Sequence, residues 1–226
     1  MQFDRRFLLK APMFLGTSLI FEKLALGAAT DFEEFTAQAG KHAMKMILDP
    51  NRNEEEYLLF VASLAAGIKQ FPPAVFGEAF KTMRAAMSYR GSGIAIIQWR
   101  MEPNTVYQAH NHPGYNGITL GLEGECRIRN FNIVGNAPDM KSKGSFLVRE
   151  TQYNVLRPGT VTSIMSTTRD NIHELEAGSK GVRAVDIIAK VGPDAGFSFL
   201  SISGKPKEPR DRVYEAKWGE HNGNGV

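Results

Sequence analysis

The hydrophobic pattern of this chain changes period once, near residue 91. From residue 31 onward, Phe32, Phe35, Ala39, Ala43 and Met46 recur at three- and four-residue steps. That spacing predicts one apolar face of a helix. Asp49-Pro50-Asn51 interrupts it, as turn residues do. Asn53 then stands ahead of Glu54, Glu55 and Glu56, a capping residue followed by acids where the helix dipole favours them. Leu58, Leu59, Val61, Ala62 and Ala65 give this second helix its apolar side, and Phe71-Pro72-Pro73 ends it. A third helix is predicted over residues 74–87. The Met and Phe stripes of this region predict packing and no catalytic constellation, and His42 is expected to be a surface or packing histidine.

Beyond residue 91 short alternating or wholly apolar runs are separated by Gly and Pro turns. Strands are predicted over residues 94–100, 106–112, 117–122, 126–133, 144–148, 154–156, 161–165, 182–191 and 197–202. Many short strands of this kind predict a sandwich or barrel. The expected class is therefore mainly β, a single barrel behind an N-terminal α-helical extension. Residues 30–90 form the extension and 91–204 the barrel. Residues 205–226 are expected to be a polar, mobile tail whose His221 plays no part in a site.

Composition excludes several classes. Hydrophobic residues at 42% and charged residues at 23% are ordinary for a globular protein. The formal charge is +3, but the first 29 residues hold four basic and two acidic side chains, leaving 23 basic against 22 acidic. No basic excess remains that would attract nucleic acid. The one cysteine, Cys126, excludes an intrachain disulfide and Cys-rich zinc sites, and is expected to be a packed small residue. Residues 1–29 have the form of an export signal. Arg5-Arg6 with Phe7-Leu8-Leu9-Lys10 resembles a twin-arginine leader, the apolar run 11–21 is too short to span a bilayer, and Gly27-Ala28-Ala29 offers a cleavage site. This implies a periplasmic or otherwise exported protein with no stable membrane span once the signal is removed. A monomer is the expectation.

The candidate chemistry lies in His110-Asn111-His112-Pro113-Gly114-Tyr115-Asn116-Gly117, with Gly124 seven residues on. Two of the five histidines sit here, at i and i+2, and face the same way on an extended strand. Two converging imidazoles are a ready pair of metal ligands. A lone His-x-His is common and by itself undecided. The turn that follows it, the strand after that, and His173 as a third candidate strengthen the metal reading. Asp186, in Val185-Asp186-Ile187-Ile188, is an acid inside an apolar strand and needs a partner.

On these residues the sequence resembles the cupin superfamily, whose first motif runs His-x-His, Glu, Gly. His110, His112 and Gly124 fall in register, and the position of the usual Glu is Gly117. That departure is similar to the thiol dioxygenase branch, which binds iron through three histidines. His110-Asn111-His112-Pro113-Gly114 and Asn171-Ile172-His173 resemble the cysteamine dioxygenase and plant cysteine oxidase family, over roughly residues 88–200. Asp170 stands where that family often has glycine.

The resemblance implies Fe(II) held by His110, His112 and His173. It implies a small-molecule or N-terminal-cysteine thiol and O2 as partners, with a sulfinate as product. Asp186 would orient a substrate amine or a ligand histidine; a salt bridge with Arg183 is the alternative. Tyr115 would hydrogen-bond at the metal or stand at the rim. Arg90 would anchor a substrate carboxylate, Arg100 being equally placed. The cysteine of the crosslinked cysteine dioxygenases would fall near Gly117, so that crosslink is expected to be absent. Two other readings stay open: a metal-dependent cupin enzyme acting on a non-thiol substrate, and a non-enzymatic cupin that binds a ligand or metal.

Overall fold

The computed structural model describes residues 30–91, 93–136, 138–193 and 196–222; the expected export signal, residues 1–29, lies outside them. Among these residues two helices come first. Helix α1 (Phe32–Leu48) is capped by Asp31, whose side chain accepts from the Glu34 amide. Helix α2 (Glu54–Ala65) is capped by Asn53, which accepts from the Glu56 amide. Nine strands follow: β1 (Met83–Gly91), β2 (Ile94–Met101), β3 (Val106–Asn111), β4 (Tyr115–Val134), β5 (Ser145–Leu156), β6 (Val161–Met165), β7 (Ile172–Lys190), β8 (Phe197–Ile202) and β9 (Val213–Asn222). The expected class holds: a mainly β barrel behind an N-terminal helical pair.

Two long strands, β4 and β7, tie the barrel together. They pair antiparallel along both halves, Tyr115–Gly124 against Val182–Lys190 and Cys126–Phe131 against Ile172–Ala177. Both change direction at one level. Gly124 has φ +66° and Gly181 φ +73°, a region open to glycine at little cost. A Cβ on Gly124 would stand 2.1 Å from the Gly181 carbonyl oxygen, so neither bend tolerates a side chain. One half of each strand joins β1, β2 and β6; the other joins β3, β5, β8 and β9. The second group closes on itself, because β3 meets β8, β8 meets β9 and β9 meets β5.

Strand alternation sorts the core into layers. Ile94, Ile96, Ile118, Leu120, Val185 and Ile187 face the helices and pack against Phe35, Ala39, Leu58 and Val61. Trp99, Met101, Val182 and Ala184, at positions of the opposite parity on β2 and β7, turn the other way and pack with Cys126, Ile128, Leu175 and Phe199. A third cluster gathers Ala109, Phe131, Phe146, Val148, Leu200 and Ala216.

Two expectations are corrected. Residues 74–87 form no helix; Met83–Gly91 is strand β1, paired antiparallel with β2. Ala85, Ala86 and Met87 carry good helix propensity, but pairing along β2 outweighs so weak a preference. The tail from residue 205 carries strand β9, paired with β5 and β8. Its Val213 and Ala216 are buried, and the Trp218 ring lies 4.8 Å from that of Phe146. Charged residues between these apolar positions masked a half-buried strand in the composition.

Candidate metal centre

His110 lies on β3, His112 in the turn after it, and His173 near the start of β7. Pairing of β3 with β7 sets His110 opposite His173. The Nε2 atom of His173 is 3.1 Å from that of His112 and 3.1 Å from that of His110. All three ligand atoms lie within 4.8 Å of one another. Nitrogens bound at about 2.1 Å and at right angles around a metal stand roughly 3.0 Å apart. Both pairs made through His173 are therefore already at coordination spacing.

The protonation chemistry agrees. Burial pushes His110 down to about 4. It holds His112 and His173 well below the ordinary imidazole value, with the neighbouring imidazoles adding to the effect. All three are neutral at physiological pH, as metal ligands must be. The Nδ1 of His110 lies 3.0 Å from the Gln108 carbonyl. A carbonyl only accepts, so Nδ1 carries the hydrogen and the Nε2 lone pair points at the other two rings. Lone pairs converging in a buried pocket fit a cation.

Neighbours fix the ligands. The Asn171 side chain accepts from the His112 amide at 2.9 Å and donates to the carbonyls of Tyr115 and Ser166, so one amide ties the ligand turn to β7. Asp170, just before it, has φ +60°. The position demands a left-handed backbone, which glycine meets freely and Asp tolerates. The Asp170 carboxylate accepts from Thr151 and Gln152, which holds that conformation in place. Ser163 on β6 meets His173 Nδ1 at 3.0 Å, and Asn130 donates to Ser163 at 3.1 Å. Sequence reasoning missed Ser163 and Asn130. Their one signal was polarity at strand positions otherwise apolar.

Position 117 carries no ligand, and a side chain there would be crowded. A Cβ there would meet Ile188 Cγ2 at 2.9 Å and the Ile187 carbonyl at 3.0 Å. Tyr115 is buried and shares its strand face with Gly117 and Thr119. Asp186 stands outside the ligand cluster. It pairs in register with Thr119, whose hydroxyl donates to it at 2.7 Å. Its face of β7 is that of Val182 and Ala184, whose cluster reaches the His110 ring through Tyr107 and Phe199. Burial raises its carboxyl to about 6, while Thr119 and the nearby Trp99 indole favour the charged form. The indole N–H makes no well-aligned hydrogen bond, so Thr119 is the firm partner. Arg183 pairs with Glu123 instead. Arg90 is exposed on edge strand β1, and Arg100 lies over the Phe76 ring; neither joins the triad. Cys126 is buried, its thiol pushed up to about 12 by burial, as a packing residue should be. His42 stacks on Phe60 at 3.8 Å, and His221 meets Ser198 at 2.9 Å, away from the triad.

No protein-family model and no curated protein sequence matches the chain. Solved structures share part of its shape. KdgF from Halomonas sp. is 10% identical, with 51% of this chain and 87% of that one covered at a TM-score of 0.38. An oxalate oxidase in complex with glycolate is 15% identical, covering 53% and 55%, at 0.37. Pumpkin seed globulin is 11% identical, covering 57% and 31%, at 0.39. This chain thus spans about half of the oxidase chain and a third of the globulin. The likeness is one of partial shape and does not extend to activity.

Proposed function

We propose that the protein is an exported, iron-dependent thiol dioxygenase of the cupin superfamily. Its substrate is a small or N-terminal-cysteine thiol, oxidised to a sulfinate. The reading rests chiefly on one observation: three neutral imidazoles, those of His110 and His173 buried, converge on one point, and the position where a cupin carboxylate ligand would stand is a glycine crowded by Ile187 and Ile188.

That ligand set suits the chemistry. Fe(II) bound by His110, His112 and His173 would keep its full double charge, favour a soft anionic thiolate, and bring it beside dioxygen. The reaction balances without a further reductant: a thiolate and one O2 give a sulfinate, both oxygen atoms ending on sulfur. This chain's own contribution is to hold three ring nitrogens convergent, fix the ligand turn through Asn171, and keep water out with Trp99, Tyr107 and Phe199. Asp186 supplies an acceptor for a substrate amine. Its only hydrogen-bond partner of good geometry is a hydroxyl, and no cation among the described residues pairs with it. Arg90 lies exposed on the edge strand, which favours an amine-bearing thiol over recognition through a carboxylate.

The test is a panel of thiols offered to iron-loaded protein: cysteamine, cysteine, 3-mercaptopropionate and a peptide with N-terminal cysteine. Oxygen uptake with the amine-bearing thiols is expected, together with products heavier by two oxygen atoms. Uptake only with a non-thiol substrate would replace this reading by another cupin oxygenase. Binding without turnover would make the protein a ligand carrier. Export is tested by fractionating cells that express the full chain and its Arg5→Lys, Arg6→Lys variant; the variant should remain inside.

A further inference from the structure

The register of β6 against β4 contains an irregularity. Gly117 pairs with Met165, but Thr119 pairs with Thr162. Two residues of β6, Ser163 and Ile164, therefore stand opposite Ile118 alone, which is a β-bulge. The first of them, Ser163, has φ +51°. Bulges of this form ordinarily place glycine there, because glycine alone takes that backbone freely. This chain keeps a side chain at a position that disfavours one, and buries it to 1% exposure.

The bulge aims that side chain at the back of a ligand. Ser163 Oγ lies 3.0 Å from His173 Nδ1. Asn130, opposite His173 in the β4–β7 register, donates to Ser163 Oγ at 3.1 Å and to the Asp170 carbonyl at 3.0 Å. The second contact fixes which end of the Asn130 amide faces Ser163: a carbonyl acceptor requires the NH2 group. Ser163 Oγ therefore accepts from Asn130 and keeps a second lone pair available to the imidazole. His173 is also the hub of the triad, since its Nε2 meets both other Nε2 atoms.

We propose that Ser163 is a positioning residue for the metal centre. It accepts the Nδ1 hydrogen of His173, fixes the ring's rotation and tautomer, and presents the Nε2 lone pair to the ion. The inference rests on the triad being a metal site and assigns the residue that orients its central ligand. Hydrogen-bond partners of this kind typically change metal affinity by about 10- to 100-fold when lost.

The experiment uses Co(II) as the probe, with affinity measured by chelator competition and the visible ligand-field bands recorded. Four proteins are compared: wild type, Ser163→Gly, His173→Ala and the double variant. Glycine relieves the backbone at this bulge, so Ser163→Gly should melt at or above the wild-type temperature. It should nevertheless bind Co(II) about 10- to 100-fold more weakly, with shifted bands. In the His173→Ala background, Ser163→Gly should change Co(II) affinity no further. Wild-type affinity and bands in Ser163→Gly would overturn the proposal, as would an equal loss in the His173→Ala background. Failure of the wild type itself to bind Co(II) would instead overturn the metal site on which the proposal rests.

Discussion

At the scale of single residues, the site is governed by what each position excludes. Gly117 leaves little space for a side chain beside Ile187 and Ile188. Gly117→Glu should therefore fail to add a fourth ligand and should destabilise the protein by about 1–3 kcal/mol through overpacking, read from urea unfolding. Replacing any one of His110, His112 or His173 by Ala should weaken metal binding and lower retention below stoichiometric, measured by elemental analysis after dialysis.

Asp186 and the histidines leave opposite marks on the pH dependence of the metal-free protein. A carboxyl raised from 3.8 to about 6 contributes stability that is full below about pH 4 and lost as pH rises through about 6; the displacement corresponds to about 3 kcal/mol. His110, lowered from 6.5 to about 4, works the other way. Its contribution is present above pH 6.5 and lost as pH falls through about 4, again about 3 kcal/mol. His112 and His173 shift in the same direction as His110, so the three histidines outweigh the one acid and acidification should destabilise the metal-free protein. Asp186→Asn removes the opposing slope. It should be more stable than wild type at about pH 8 and lose stability more steeply on acidification, as thermal melts across this range would read.

At the scale of elements, the turn between β3 and β4 depends on Asn171. Its side chain makes three hydrogen bonds, to the His112 amide and to the Tyr115 and Ser166 carbonyls. Asn171→Ala should cost about 2–4 kcal/mol of stability and lower metal retention, because His112 loses its tie to β7. Strand β9 makes a second prediction. It pairs with both β5 and β8, so removing residues 205–226 should leave a chain without a cooperative thermal transition, where a mobile tail would be dispensable.

These elements also show what the sequence could express. Helices α1 and α2 were legible because caps, breaks and apolar spacing agree at each. His110 and His112 were legible because residues two apart in extended chain face the same way without long-range information, although β3 ends at Asn111 and His112 begins the turn. Strand β1 was not, since Met83-Arg84-Ala85-Ala86-Met87 favours helix locally and becomes a strand only by pairing with β2. Strand β9 was hidden by Glu215 and Lys217 among its buried positions. Ser163 and Asn130 were hidden for another reason: a bulge and a cross-strand register decide what they touch, and neither is written locally.

At the scale of the whole molecule, one arrangement links fold to chemistry. The long strands β4 and β7 pass from one group of strands to the other through Gly124 and Gly181. In doing so they place His173, Asn130, Thr119 and Asp186 on the interior that β3 closes with His110. The helices cover the outer face of β2, β4 and β7 and leave this interior to the site. The most direct test of the account is a single-turnover reaction of the iron-loaded protein with an amine-bearing thiol under isotopically labelled dioxygen, followed by mass spectrometry of the product. The account expects a sulfinate carrying two labelled oxygen atoms, formed by the wild type and lost in His173→Ala. No labelled sulfur product from protein shown to hold iron would contradict it.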